Sequence, residues 1–149
     1  NEVAQSITSF AGAYSFLSNF YPVAIGLDGE DYPSVEHAFQ AAKTDILEER
    51  LKIRDTPSPV TAKHLGKRVT LRPGWDYVRF DIMETLVRQK FTRHAELREK
   101  LLATEDTELI EGNTWRDMTW GAVWNKYKGR WVGKNHLGQI LMKVRDEFK

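Results

Sequence analysis

The strongest constraint on the fold is a run of apolar residues at helical spacing that follows a break at Arg72-Pro-Gly74. Trp75, Val78, Ile82 and Leu86, joined by Met83, Val87, Lys90 and Phe91, fall along one side of an α-helix. A long helix with such a face needs partners to cover it, and the sequence supplies them. Val35–Thr44 and Ile46–Arg54 read as helices. Ser58-Pro59 reads as the N-cap and first-turn proline of a short helix that Gly66 stops. His94–Leu102 carries Leu97, Leu101 and Leu102 as a further turn set. Asn135 is placed to cap a last helix with the apolar face Leu137, Ile140, Leu141, Val144 and Phe148. Ile7–Phe10, Val23–Leu27 before the turn Asp28-Gly29, and Thr107–Glu111 are short strand candidates. Gly112–Lys134, rich in Gly and Trp, has little periodicity. The expected class is mainly α: a single compact helical domain over residues 1–149 with a small antiparallel β element.

A chain of 149 residues is one domain's length. No apolar run approaches 18 residues, so no membrane span is expected. Asn1–Ser9 is mixed and polar, without the apolar core of a signal peptide. Cysteine is absent, which excludes disulfides, thiol catalysis and cysteine-based zinc sites and fits a reducing cytoplasm. His37, His64, His94 and His136 are in no metal-ligand spacing, so neither a metal nor a cofactor is expected. The formal net charge of +1 gives no global field for a polyanion, which must then be held by a local patch.

Chemistry is concentrated in Tyr32-Pro-Ser-Val-Glu-His-Ala-Phe-Gln-Ala-Ala-Lys43. If Ser34 caps, Glu36, Gln40 and Lys43 share one side of the helix. Glu36 and Lys43 are then about 10.5 Å apart along the axis, room for a small ligand between a carboxylate and an amine. The same stripe also fits a solvated surface face. Ala38, Ala41 and Ala42 let another element pack close. In the preceding aromatic loop, Asn19 and Phe20 offer an amide and a ring that can read a base, or pack. Trp75 can wall a pocket or staple its helix.

Asp117-Met-Thr-Trp-Gly121 places an acid beside Trp120 and Gly121, suited to a sugar hydroxyl, a stacked ring and close backbone approach. It equally fits a turn aspartate with Trp120 as a core plug. Lys126–Gly138 interleaves Lys126, Lys128, Arg130 and Lys134 with Gly129, Gly133 and Gly138 and leads into the last helix, whose free N–H groups would suit a phosphate. An exposed basic loop is the alternative. Lys63, Lys67 and Arg68 around Gly66 form a similar, smaller cluster.

The order of these blocks carries more than any one of them. Phe16-Leu-Ser-Asn-Phe-Tyr-Pro22, the Ser34–Lys43 block, Gly74-Trp-Asp76, Lys90-Phe91 with Leu97, Asp117-Met-Thr-Trp-Gly121 and Gly133-Lys-Asn-His-Leu-Gly138 with Leu141-Met142 and Arg145 together resemble the NADAR domain family of YbiA-like proteins, from about Phe10 to Arg145. The resemblance implies a mainly helical fold with a small β element and an N-glycosidase acting on a ribose or ADP-ribose moiety. One branch of that family cleaves early riboflavin-pathway intermediates; another removes ADP-ribose from guanine bases in nucleic acid.

Carried onto this chain, the resemblance makes Glu36 the acid/base carboxylate and Lys43 the family's lysine, able to hold an opened ribose as a Schiff base. Asp117 and Trp120 would sit at the ribose and leaving group. Asn19, Phe20, Gln40, Trp75 and Gly121 would line the site, and Gly133, Asn135, Leu137 and Gly138 would bind phosphate. The expected partner is ADP-ribose or an ADP-ribosylated guanine, in a single strand or a nucleoside. The alternatives are a riboflavin intermediate as substrate, or a silent ADP-ribose-binding module. A Trp124- and Tyr127-containing insert separates the Asp117 and Gly133 motifs, and Trp124, Tyr127 and Trp131 fit either stacking platforms for neighbouring bases or core aromatics.

Overall fold

The computed structural model describes residues 5–149, so the first four residues of the polar opening segment lie outside it. In chain order the elements are β1 (Ser6–Ile7), a 3-10 helix (Gly12–Leu17), β2 (Ile25–Leu27), β3 (Glu30–Tyr32), α1 (Val35–Ala41), α2 (Leu47–Asp55), α3 (Pro59–Gly66), α4 (Trp75–Arg93), α5 (Ala95–Ala103), β4 (Glu108–Leu109), β5 (Val123–Asn125), β6 (Arg130–Val132) and α6 (His136–Glu147). The class is mainly α, as expected. The described chain groups into two compact units, one of Asn19–His94 and one of Ala95–Lys149 with the residues up to Ser18.

In the Asn19–His94 unit, α1 is enclosed: every residue from Val35 to Ala41 is buried. Its alanines permit this, since Ala38, Ala41 and Ala42 expose no surface and α2, α3 and α4 pack around them. The Glu36–Gln40 stripe is therefore no solvated face. The helix ends earlier than periodicity suggests, because Lys43 and Thr44 donate backbone N–H bonds three residues back, to Gln40 and Ala41. The long helix begins where expected, with Gly74 at φ 73° ahead of Trp75, a left-handed position that favours glycine. It contributes Trp75, Met83, Leu86, Val87 and Phe91 to the core beside Ile25, Tyr32, Phe39 and Ile53. The β2–β3 hairpin turns at Asp28-Gly29 and pairs antiparallel, Ile25 with Tyr32. Gln89 of α4 closes its free edge: its amide donates to the Gly26 carbonyl at 2.8 Å and accepts from the Gly26 N–H at 2.6 Å.

In the other unit, Leu137, Ile140, Leu141 and Val144 of α6 are buried together with Phe16, Leu17, Leu97, Leu101 and Leu109. Phe148, assigned to the same apolar face, lies at the end of α6 under the Arg98 guanidinium, 5.5 Å from its ring centroid. Two features depart from expectation. β1 pairs with β4 in parallel, Ile7 opposite Leu109. The segment Gly112–Lys134 contains an antiparallel hairpin, β5 with β6, where sequence periodicity is silent.

Candidate functional site

The α1 cluster is built from its cap outward. Ser34, in extended backbone, accepts from the His37 N–H at 3.1 Å, as a capping serine does. The same hydroxyl meets His37 Nδ1 at 2.7 Å, and His37 Nε2 lies 2.8 Å from the Thr56 carbonyl. A carbonyl only accepts, so Nε2 carries the proton and Nδ1 accepts from Ser34. Burial holds the imidazole pKa below its usual value, with the Thr56 bond opposing. His37 thus locks the start of α1 to the end of α2.

With that end fixed, Glu36 points inward and is 8% exposed; its carboxylate accepts from Gln40 Nε2 at 2.6 Å. Its N–H donates to the Asn19 carbonyl at 3.0 Å. Gln40 Oε1, Asn19 Oδ1 and Arg79 Nε are buried without a hydrogen-bond partner. Unpaired buried polar atoms are uncommon and costly, and here three occur in the unit that holds Glu36 and Lys43. Gly66 sets the position of Gln40: a Cβ there would stand 1.9 Å from Gln40 Oε1. Gly66 is the last residue of α3 rather than the stop beyond it, and its glycine identity answers to this close approach.

Lys43 follows α1. Desolvation lowers the pKa of its amine, and Lys63, Lys67 and Arg79 press it further down, while the Glu36 charge works the other way. A half-buried amine near cations keeps a larger neutral fraction than a free lysine, which is what a nucleophilic amine requires. The Lys63–Lys67 cluster thus acts on Lys43. Trp75 packs its ring against Phe39 of α1, with centroids 5.1 Å apart, and is almost wholly buried. Phe20 is partly exposed. Sequence reasoning missed Arg79 and used Lys90 only as part of a motif. Lys90 is 1% exposed, lies 5.5 Å from the Tyr21 ring centroid, and is pushed by burial down to about 7.

The second predicted cluster lies in the other unit and is built differently. Asp117 Oδ1 accepts from the Thr119 and Trp120 N–H groups at 3.1 and 2.9 Å. Asn113 accepts from the Asp117 N–H at 2.9 Å and donates to its carbonyl at 2.8 Å. The loop so formed offers four carbonyls in a row, and the start of α6 takes all of them. Lys134 N–H donates to Met118, Asn135 to Gly121, His136 to Thr119 and Leu137 to Trp120, at 2.7–3.1 Å. These four N–H groups, from Lys134 to Leu137, are therefore engaged and not free for a phosphate.

Asn135 precedes α6, but its side chain does not cap it. With φ 51°, it accepts from the Glu111 N–H at 3.0 Å and donates to the Leu109 carbonyl at 2.9 Å. Gly121, Gly133 and Gly138 are close-packing positions: a Cβ would lie 2.2 Å from the Glu111 carbonyl, 2.6 Å from the Gly121 carbonyl and 2.1 Å from the Leu109 carbonyl, respectively. Leu137 is core. Trp120 meets His136 edge-on, centroids 6.1 Å apart. The two motifs are thus halves of one backbone seam, with Asp117 as the turn aspartate. Among the described residues no helix is long and apolar enough to cross a membrane.

The NADAR domain family model matches residues 8–149, across both units. The chain is 39% identical over 137 residues to the N-glycosidase YbiA of Escherichia coli strain K12, covering 91% of this chain and 82% of that one. It is 38% identical over 141 residues to an N-glycosidase of Nostoc punctiforme, covering 91% and 86%. A riboflavin biosynthesis protein of Vibrio vulnificus is 37% identical over 138 residues, which span 91% of this chain and 36% of that longer protein. The NMR structure of the E. coli protein YbiA superimposes with a TM-score of 0.80 at 36% identity, over 98% of this chain and 87% of that one. The motif order, the family match and the shared fold agree: the chain belongs to the NADAR domain family.

Proposed function

We propose that the protein is an N-glycosidase that releases ADP-ribose from an adduct on a guanine base in nucleic acid, with the Glu36–Gln40–Lys43 cluster as its catalytic centre. The observation that carries this reading is the Lys43 amine, partly desolvated and within the field of Lys63, Lys67 and Arg79, two residues past the end of the helix that holds Glu36. The names of its relatives support the glycosidase class.

In the route we favour, the neutral Lys43 amine attacks the anomeric carbon. The glycosidic C–N bond breaks and the base leaves with a proton. The nitrogen electron pair then opens the sugar ring, whose oxygen takes a proton, leaving an imine. Water adds to the imine carbon, the C–N bond to Lys43 breaks, and the amine and free sugar are regenerated. Glu36 takes the proton from the amine and returns it to the leaving group. Gln40 orients Glu36, and the unpaired Asn19 Oδ1, Gln40 Oε1 and Arg79 Nε are the polar atoms that a bound ligand would satisfy. Asp117 spends Oδ1 on its own loop, so Glu36 is the carboxylate assigned to the chemistry, and the seam holds its unit together.

The test is mass-spectrometric release of ADP-ribose from a guanine-ADP-ribosylated single-stranded oligonucleotide, with Glu36→Ala alongside and borohydride added to a parallel reaction. Release by the wild type alone, with a borohydride-fixed mass gain on Lys43, is expected. Release without any adduct on Lys43 rejects the imine route. The second reading, an N-glycosidase of riboflavin intermediates, is favoured by the relationship to the Vibrio protein. Turnover of those intermediates, with none of the oligonucleotide, would select it.

A further inference from the structure

We propose that the β5–β6 hairpin is a grip for single-stranded nucleic acid, in which Trp124 and Tyr127 stack on bases while Lys126, Lys128 and Arg130 hold phosphates. The inference goes beyond the glycosidase reading and does not depend on it, because an unmodified strand is ligand enough.

Three observations converge on the hairpin. First, its aromatics face outward. Tyr127 at the tip is 89% exposed and Trp124 50%. Trp131 is the anchor beneath: its ring lies against Gly112, where a Cβ would stand 2.8 Å from it, and Trp124 meets it edge-on at 5.5 Å. One tryptophan is committed to packing, and the other keeps half of its surface exposed.

Second, the charge is one-signed. Residues 123–134 contain Lys126, Lys128, Arg130 and Lys134 and no carboxylate, in a chain of net charge +1. None of the four forms an ion pair with another described residue.

Third, the tip is ordered before any ligand arrives. Asn125 Oδ1 accepts from the Tyr127 and Lys128 N–H groups at 3.0 and 2.9 Å, and Gly129, at φ 64°, donates to the Asn125 carbonyl at 2.8 Å. Exposed rings alternating with cations match a ligand whose own rings alternate with phosphates. A duplex hides its bases, and a run of acidic side chains without rings offers the aromatics nothing to stack on.

Fluorescence anisotropy of a labelled, unmodified oligothymidylate tests the grip. The wild type is expected to bind the strand more tightly than the matching duplex. Tyr127→Ala is expected to weaken binding by about five- to hundredfold, the usual yield of one stacked base. Lys128→Gln should flatten the log–log salt dependence by about 0.7. Both residues project from the tip, so the fold is kept, which circular dichroism verifies. Absence of strand binding by the wild type at low salt, binding by Tyr127→Ala and Trp124→Ala equal to wild type, equal affinity for the duplex, or equal competition by polyglutamate would each overturn the proposal. Glycosidase assays on a nucleoside substrate separate the two readings. Tyr127→Ala is expected to leave that turnover unchanged, and failure of the wild type to turn over any glycoside while it binds the strand counts against the proposed function only.

Discussion

The α1 cluster and the Asp117–Gly138 seam both bury polar side chains, and they treat them in opposite ways. In the seam, Asn113, Asp117 and Asn135 meet backbone groups on nearly every side. Around α1, Asn19, Gln40 and Arg79 each leave an atom unpaired, and a half-buried lysine is partly desolvated near other cations. Satisfied burial rigidifies; unsatisfied burial is free energy held ready for a ligand. The sequence presents both as an acid among small and aromatic residues, so composition alone does not separate them.

Substitutions can break or sharpen this contrast. The largest effect is expected from Glu36→Ala, with turnover reduced by about 10²–10⁴-fold, the usual contribution of a general acid–base group. Its circular dichroism spectrum should match wild type, and retained turnover would remove Glu36 from the mechanism. Next come two glycines. Gly138→Ala drives a methyl into the Leu109 carbonyl and should cost about 3 kcal/mol of stability or more, read as a lower Tm. Gly66→Ala pushes instead on the Gln40 amide, so its loss of kcat should outweigh its loss of Tm. Equal behaviour of the two variants would erase the contrast.

Asp117→Ala forfeits two backbone bonds and should cost about 1–2 kcal/mol. Asp117→Asn keeps the accepting oxygen and should be near wild type in both stability and turnover; a dead but folded Asp117→Asn enzyme would return Asp117 to the chemistry. The smallest effects are in pH. Lys43 must be neutral to attack, so kcat/KM should rise with pH through its lowered pKa. Lys67→Gln removes a cation that holds that pKa down, which should move the rise to higher pH. His37 has its pKa held below 6.5 by burial. The folded state thus favours neutral imidazole, so its contribution to stability is complete above pH 6.5 and lost as pH falls below, which urea titrations at several pH values would read.

The helices were legible because their signals are local. Ser34, Ser58 with Pro59, and Gly74 before Trp75 mark starts that the backbone obeys. The Glu36–Gln40 bond follows from i, i+4 spacing. What was not legible depends on partners far along the chain. Asn135 looks like a cap, but its side chain is claimed by Leu109 and Glu111. The β1–β4 pair joins segments about a hundred residues apart by two residues each, too short for any alternation to register. Gly66 is a glycine because of Gln40, and nothing in its own neighbourhood says so. Strands of three residues hid the hairpin, although Asn125 and Gly129 flanking Tyr127 are the turn residues that would have found it.

The pairing of the α6 start with the Met118–Gly121 carbonyls also has a consequence in time. First-turn amides of a helix have no partner within it, and ordinarily exchange their hydrogens with solvent ahead of the rest. Here Asn135, His136 and Leu137 at the start of α6, and Lys134 just before it, are each bonded to the loop, so their exchange waits on separation of that loop from the helix. These four amides should exchange slowly and as a group, together with the body of α6, while Tyr127 and Lys128 at the hairpin tip exchange early. Helix α6 and the Met118–Gly121 loop would then open as one cooperative piece.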